Sequence, residues 1–90
     1  MKRLYTKKDA YRKGYVMKLS FHNPEGLGKE NIIESVNALE NNLKSEDFVY
    51  IKTDNKMTFM FKTNDYKMSD PNSLNNKVER LVRPYLWPWT

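Results

Sequence analysis

The stretch Phe48-Val49-Tyr50-Ile51-Lys52-Thr53-Asp54-Asn55-Lys56-Met57-Thr58-Phe59-Met60-Phe61-Lys62 decides the fold. Two runs rich in aromatic and branched residues flank Asp54-Asn55, a pair suited to a tight turn, so the segment reads as a hairpin over 48–53 and 57–62. Loop length sets its register. A two-residue loop pairs Thr53 with Lys56 and gathers Phe48, Tyr50, Met57, Phe59 and Phe61 on one face. A three-residue loop gathers Val49, Ile51, Phe59 and Phe61 instead and turns Phe48, Tyr50, Lys52, Met60 and Lys62 outward. A slip of one residue exchanges core for surface. The two-residue loop is expected, because it buries the most aromatic area. It leaves Val49, Ile51 and Met60 on a second, apolar face, suited to a protein target or to a second copy of the chain.

Working outward, Tyr15, Met17, Leu19 and Phe21 alternate with Val16, Lys18 and Ser20, which predicts a half-buried strand over 15–21. A loop rich in turn formers, 22–28, follows it. Ile32, Val36, Leu39 and Leu43 then recur at i, i+4, i+7 and i+11, with Ile33 widening the stripe. They predict one helix from about 29 to 44. Glu30 and Glu34 near its start and Lys44 at its end suit the helix dipole. Beyond the hairpin, Asp70-Pro71 reads as an N-cap followed by proline at the first helical position. Leu74, Val78, Leu81 and Val82 supply that helix's apolar stripe, and Pro84 marks its expected end.

The order is β, α, β, β, α, which predicts an α+β fold with two helices on one face of a small antiparallel sheet. It resembles a ferredoxin-like βαββαβ unit without a clear final strand; residues 66–68 or 85–87 are the candidates to complete it. Ninety residues allow one core and not two. The expected organisation is a basic N-terminal arm over 1–14, one domain over 15–84 and an aromatic tail over 85–90.

Composition narrows the classes. At 39% hydrophobic, 13% aromatic and 30% charged, the chain is globular in character. No run approaches the ~18 apolar residues of a membrane span, so no membrane partner is expected. Without cysteine there is no disulfide scaffold, thiolate metal site or cysteine nucleophile, which fits a reducing compartment such as the cytoplasm. The excess of phenylalanine, tyrosine, methionine, isoleucine, asparagine and lysine over glycine, alanine, arginine and proline suits an AT-rich coding sequence of the bacteriophage or mobile-element kind, which would act in a host cytoplasm.

Charge is segregated. Residues 1–13 carry Lys2, Arg3, Lys7, Lys8, Arg12 and Lys13 against Asp9 alone, so the whole formal excess of +5 lies there; residues 14–90 carry ten charges of each sign. The basic doublets recur every five residues, and at about 100° per residue no single helical face collects them. A mobile or extended segment accommodates them more simply. Against that, Thr6 and Asp9 have capping-box spacing and Gly14 stands where a helix would stop. Tyr5, Tyr11 and Tyr15 are interleaved with the cations, so phosphates on lysine and arginine and bases on tyrosine would be the contact chemistry.

Catalytic and metal chemistry find little support. His22 is the only histidine and has neither a nucleophile nor an orienting carboxylate beside it in sequence. Glu25-Gly26-Leu27-Gly28-Lys29 lacks the spacing of a phosphate-binding loop. No cofactor, metal or enzymatic activity is expected. The pattern of an aromatic RNA-binding platform is missing as well, since Met57-Thr58-Phe59-Met60-Phe61 contains no glycine. Two roles compete for Trp87 and Trp89, separated by Pro88: closing the open edge of the core, or serving as anchors for a partner.

The leading expectation is a small non-enzymatic protein that binds nucleic acid, or a nucleic-acid-containing complex, through Lys2, Arg3, Tyr5, Lys7, Lys8, Tyr11, Arg12 and Lys13. The alternative is an inhibitor of the anti-CRISPR or anti-restriction kind, docking on a host or defence protein through Trp87 and Trp89.

Overall fold

The hairpin takes the expected register. In the computed structural model, which describes residues 6–22, 28–53 and 55–86, β2 (Phe48–Lys52) and β3 (Lys56–Phe61) pair antiparallel, with Phe48 opposite Phe61 and Tyr50 opposite Phe59. The Thr53 amide donates to the Lys56 carbonyl at 2.9 Å, closing the two-residue loop. The pleat therefore sends Phe48, Met57, Phe59 and Phe61 into the main core, with Tyr50 at its margin. Phe48 stacks edge-on to Phe59 at 6.1 Å and tilted against Phe61 at 5.5 Å, and Phe21 meets Phe59 edge-on at 6.0 Å.

Strand β1 (Met17–His22) pairs antiparallel with the other side of β3, with Leu19 opposite Phe59, so the sheet order is β1-β3-β2. That order and direction are those of a βαββαβ unit without its last strand. Of the candidates for that strand, residues 66–68 are irregular, residues 85 and 86 are helical, and Trp87 lies outside the described residues.

Two helices cover the aromatic face. Along α2 (Lys29–Asn42), Ile32, Val36 and Leu39 are buried, and the buried Ser35 hydroxyl donates to the Ile32 carbonyl at 2.8 Å. Ile33 does not widen the stripe as expected. It lies 46% exposed, because at about 100° per residue it is turned away from the buried stripe of Ile32, Ser35, Val36 and Leu39. Along α3 (Leu74–Leu86), Leu74, Val78, Val82 and Leu86 are buried at successive turns, and α2 and α3 pack against each other.

Both ends of α3 differ from expectation. Asp70-Pro71 opens a turn rather than the helix: the Asp70 carboxylate accepts from the Asn72 amide at 2.9 Å and its carbonyl from the Ser73 amide at 3.1 Å. This local bonding is the alternative that aspartate offers to a helix start. Ser73 takes the N-cap position instead, its carbonyl accepting from the Lys77 amide at 3.1 Å, while Asp65 accepts from the Leu74 amide at 3.2 Å. At the other end the helix continues through Pro84 to Leu86. A proline inside a helix costs about 3 kcal/mol, and burying a leucine contributes ~1.5–3 kcal/mol, so the burial of Leu86 offsets most of that penalty in the last turn.

The second face of the sheet is not bare. A short helix, α1 (Lys7–Arg12), crosses it, and Ala10, Tyr15, Val49 and Met60 form a second, smaller core with Ile51 at its rim. The apolar face expected to meet another protein is thus covered from within the chain over Val49 and Met60. Tyr15 also leaves the expected alternation. It belongs to this second core rather than to the face of Met17 and Leu19, because the turn out of α1 delivers it on the side of the sheet that α1 covers.

Candidate nucleic-acid interface

Of the two readings of the basic segment, the capped helix is the one formed over Lys7–Arg12. The Thr6 hydroxyl accepts from the Asp9 amide at 3.2 Å, which satisfies a donor left open at the helix start. Gly14 has φ +93°, a left-handed conformation that side-chain-bearing residues rarely adopt, and it reverses the chain. The Tyr15 amide then donates to the Ala10 carbonyl at 3.0 Å and the Val16 amide to the Phe61 carbonyl at 2.9 Å. The helix is thereby tied to the start of β1.

Burial of Ala10 fixes the rotation of α1 about its axis. At about 100° per residue, Lys8 and Arg12 then face away from the sheet, Lys7 and Tyr11 share one flank, and Asp9 and Lys13 share the other. All of these side chains are exposed, Tyr11 by 51%. Arg12 approaches Asp9 at 3.8 Å in a solvent-exposed pair, a contact of at most ~1 kcal/mol that leaves the guanidinium accessible.

On the sheet below, Lys18, Ser20 and His22 project outward from β1, and Lys56, Thr58 and Met60 project outward from β3. Their register sets Lys18 opposite Met60, Ser20 opposite Thr58 and His22 opposite Lys56. The Ser20 and Thr58 hydroxyls are hydrogen-bonded at 3.0 Å. Lys7 reaches this face. Repulsion from Lys18, then from Lys56, holds the Lys7 ammonium below its ordinary pKa. The Arg12–Asp9 and Lys62–Asp47 ion pairs do not involve Lys7, Lys18 or Lys56, and Glu79 shares a shallow pocket with Lys18 and Ser20.

Because folding loosens the Lys7 proton, Lys7 opposes folding while charged, and the penalty is relieved as pH rises through its lowered pKa toward the usual lysine range. Lys18→Gln should therefore move the Lys7 titration upward, read from side-chain chemical shifts. An unmoved titration would separate the two ammonium groups.

Tyr15, which sequence spacing offered for base stacking, is buried and otherwise engaged. Its hydroxyl donates to Asp47 at 2.8 Å, Lys62 pairs with the same carboxylate at 3.4 Å, and the Lys62 ammonium sits 5.0 Å from the Tyr15 ring centroid. This node fastens the α1–β1 junction to the chain ahead of β2 and engages Lys62. Tyr11 remains as the accessible ring.

The site thus brings together Lys7 and Tyr11 from the expected set and adds Lys18 and Lys56. Lys8, Arg12 and Lys13 surround it on the other sides of α1. Lys56 was missed because it lies beside the turn; its only sequence signal was its pairing with Thr53 in the two-residue register, which sets it on the face opposite Met57, Phe59 and Phe61. Lys2, Arg3, Tyr5, Trp87 and Trp89 lie outside the described residues. Among the described residues, no three His, Asp or Glu side chains are grouped for a metal ion, and no helix is long and apolar enough to cross a membrane. Comparison of the chain with family models, curated proteins and solved structures finds no match.

Proposed function

We propose that this protein is a non-enzymatic binding protein that engages nucleic acid, or a complex containing it, through the basic surface of its N-terminal segment. The observation that carries this reading is placement: burial of Ala10 docks α1 on the sheet, leaving Lys7, Lys8, Arg12 and Lys13 exposed over the face from which Lys18 and Lys56 project. Assembling like charges works against folding, and a polyanion relieves that repulsion while releasing its own counterions. Exposed Tyr11 on the same flank as Lys7 adds a ring on which a base can stack. The apolar face that favoured docking on a host or defence protein is filled by Ala10, which weakens the inhibitor alternative.

The test is a titration with duplex DNA and with single strands at several salt concentrations. If all six N-terminal cations contact phosphates, log K should fall against log salt with a slope of roughly −5 on duplex DNA. Replacing Lys7, Lys8, Arg12 and Lys13 by glutamine keeps Thr6, Ala10 and Gly14, so the helix stays docked. That variant should show a slope shallower by about 3–4 units. Equal affinity and equal slope would remove the segment from the mechanism.

A further inference from the structure

Tyr11 is singled out by what surrounds it on α1. Residues three and four apart on a helix surface are neighbours, with Cβ atoms ~5–6 Å apart, and for Tyr11 those neighbours are Lys8 and Lys7. Side chains on a helix lean toward its N-terminus, so the ring lies over the turn that carries the two ammonium groups. It is half exposed, on a helix held in place by the Thr6 cap, the Gly14 turn and the burial of Ala10. The opposite flank differs in kind: it carries the Asp9 carboxylate, which Arg12 approaches at 3.8 Å, and no ring. Tyr66, the other tyrosine exposed to this degree among the described residues, donates its hydroxyl to the Met68 sulfur at 3.3 Å. It shares a shallow pocket with Glu79, whose carboxylate repels phosphate.

We propose that the partner is single-stranded nucleic acid and that Tyr11 stacks on one of its bases, with Lys7 and Lys8 on the adjoining phosphates. This rests on the nucleic-acid reading and narrows it. Cations alone serve either form, since single strands and duplexes both carry phosphates along their length. A ring needs the face of a base. In a duplex each base is stacked between its neighbours and shows only its edges in the grooves, whereas an unpaired base offers its face. The docking of α1 also limits it as a groove reader: six residues span ~9 Å, and one side of the helix is closed by Val49 and Met60.

The experiment titrates the full chain, at several salt concentrations, with a short single strand of mixed sequence, its duplex, and a base-free strand of the same length. The wild type is compared with Tyr11→Ala and Tyr11→Phe. Neither substitution changes charge, alanine suits an exposed helix position, and circular dichroism checks that the fold is kept. Tyr11→Ala should weaken single-strand binding by about five- to a hundredfold, the contribution of one stacked base, with the salt slope unchanged. Tyr11→Phe should bind like the wild type, because the ring carries the contact. The duplex and the base-free strand should not distinguish the three proteins. Single-strand affinity unchanged in Tyr11→Ala, or lost equally on the duplex or the base-free strand, overturns the stacking and leaves the nucleic-acid reading standing. Tyr11→Phe behaving like Tyr11→Ala overturns the ring as the contact. No binding of any of the three probes overturns the nucleic-acid reading as well.

Discussion

Phe48→Ala is expected to cost about 3–5 kcal/mol, the range for truncating a buried phenylalanine. For a domain of this size each kcal/mol lowers the melting temperature by ~4–8 °C, so thermal unfolding followed by circular dichroism should move down by about 12 °C or more. Total stability of such a domain is only about 5–15 kcal/mol, so the variant stands close to unfolding. Phe48 is the informative choice because its burial depends on register. It is fully buried between Phe59 and Phe61, whereas a three-residue loop would turn it outward and leave Phe59 and Phe61 inside. A shift of less than ~3 °C would place Phe48 at the surface, since surface changes stay within about 0.5 kcal/mol, and would reverse the sheet.

Ala10→Asp addresses the docking of α1. Ala10 is the only buried residue of that helix and rests against Tyr15, Val49 and Met60. An unpaired carboxylate there costs several kcal/mol if it stays buried. Releasing the helix is cheaper, and six residues do not hold helical structure alone. The expected result is a domain whose main core survives while Lys7 parts from Lys18 and Lys56. The Lys7 titration should return to the usual lysine range, and the salt slope of polyanion binding should become shallower by ~2–3 units. Lys13→Gln removes one positive charge, the same change in net charge, while sparing the helix's docking, so it should lower the slope by only ~1 unit. If the two variants behave alike, net charge and not docking governs binding.

The difference between these two positions shows which features were legible in the sequence. Phe48 could be assigned because strand period, turn residues and aromatic area agreed on one register. Thr6, Asp9 and Gly14 carried the cap and the stop of α1 in their spacing, yet the basic doublets argued for an extended chain. A single alanine decided the matter, and Ala10 gives no periodic signal. The same applies at Asp70: capping preference named the right kind of residue, but Asx bonding to Asn72 competed for it, and Ser73 became the cap. Tyr15 looked like a strand residue by alternation and became the bridge between two layers, with its hydroxyl on Asp47.

Local and periodic information, then, determined the α+β class, the order of elements, the hairpin register and the concentration of positive charge in residues 1–13. These follow from side-chain period and from composition, which act over neighbouring residues. Tertiary packing alone decided where that charge is presented. Lys7, Lys18 and Lys56 are far apart in the chain, and they come to one face because burying Ala10 against Val49 and Met60 outweighs the mutual repulsion of three solvated ammonium groups.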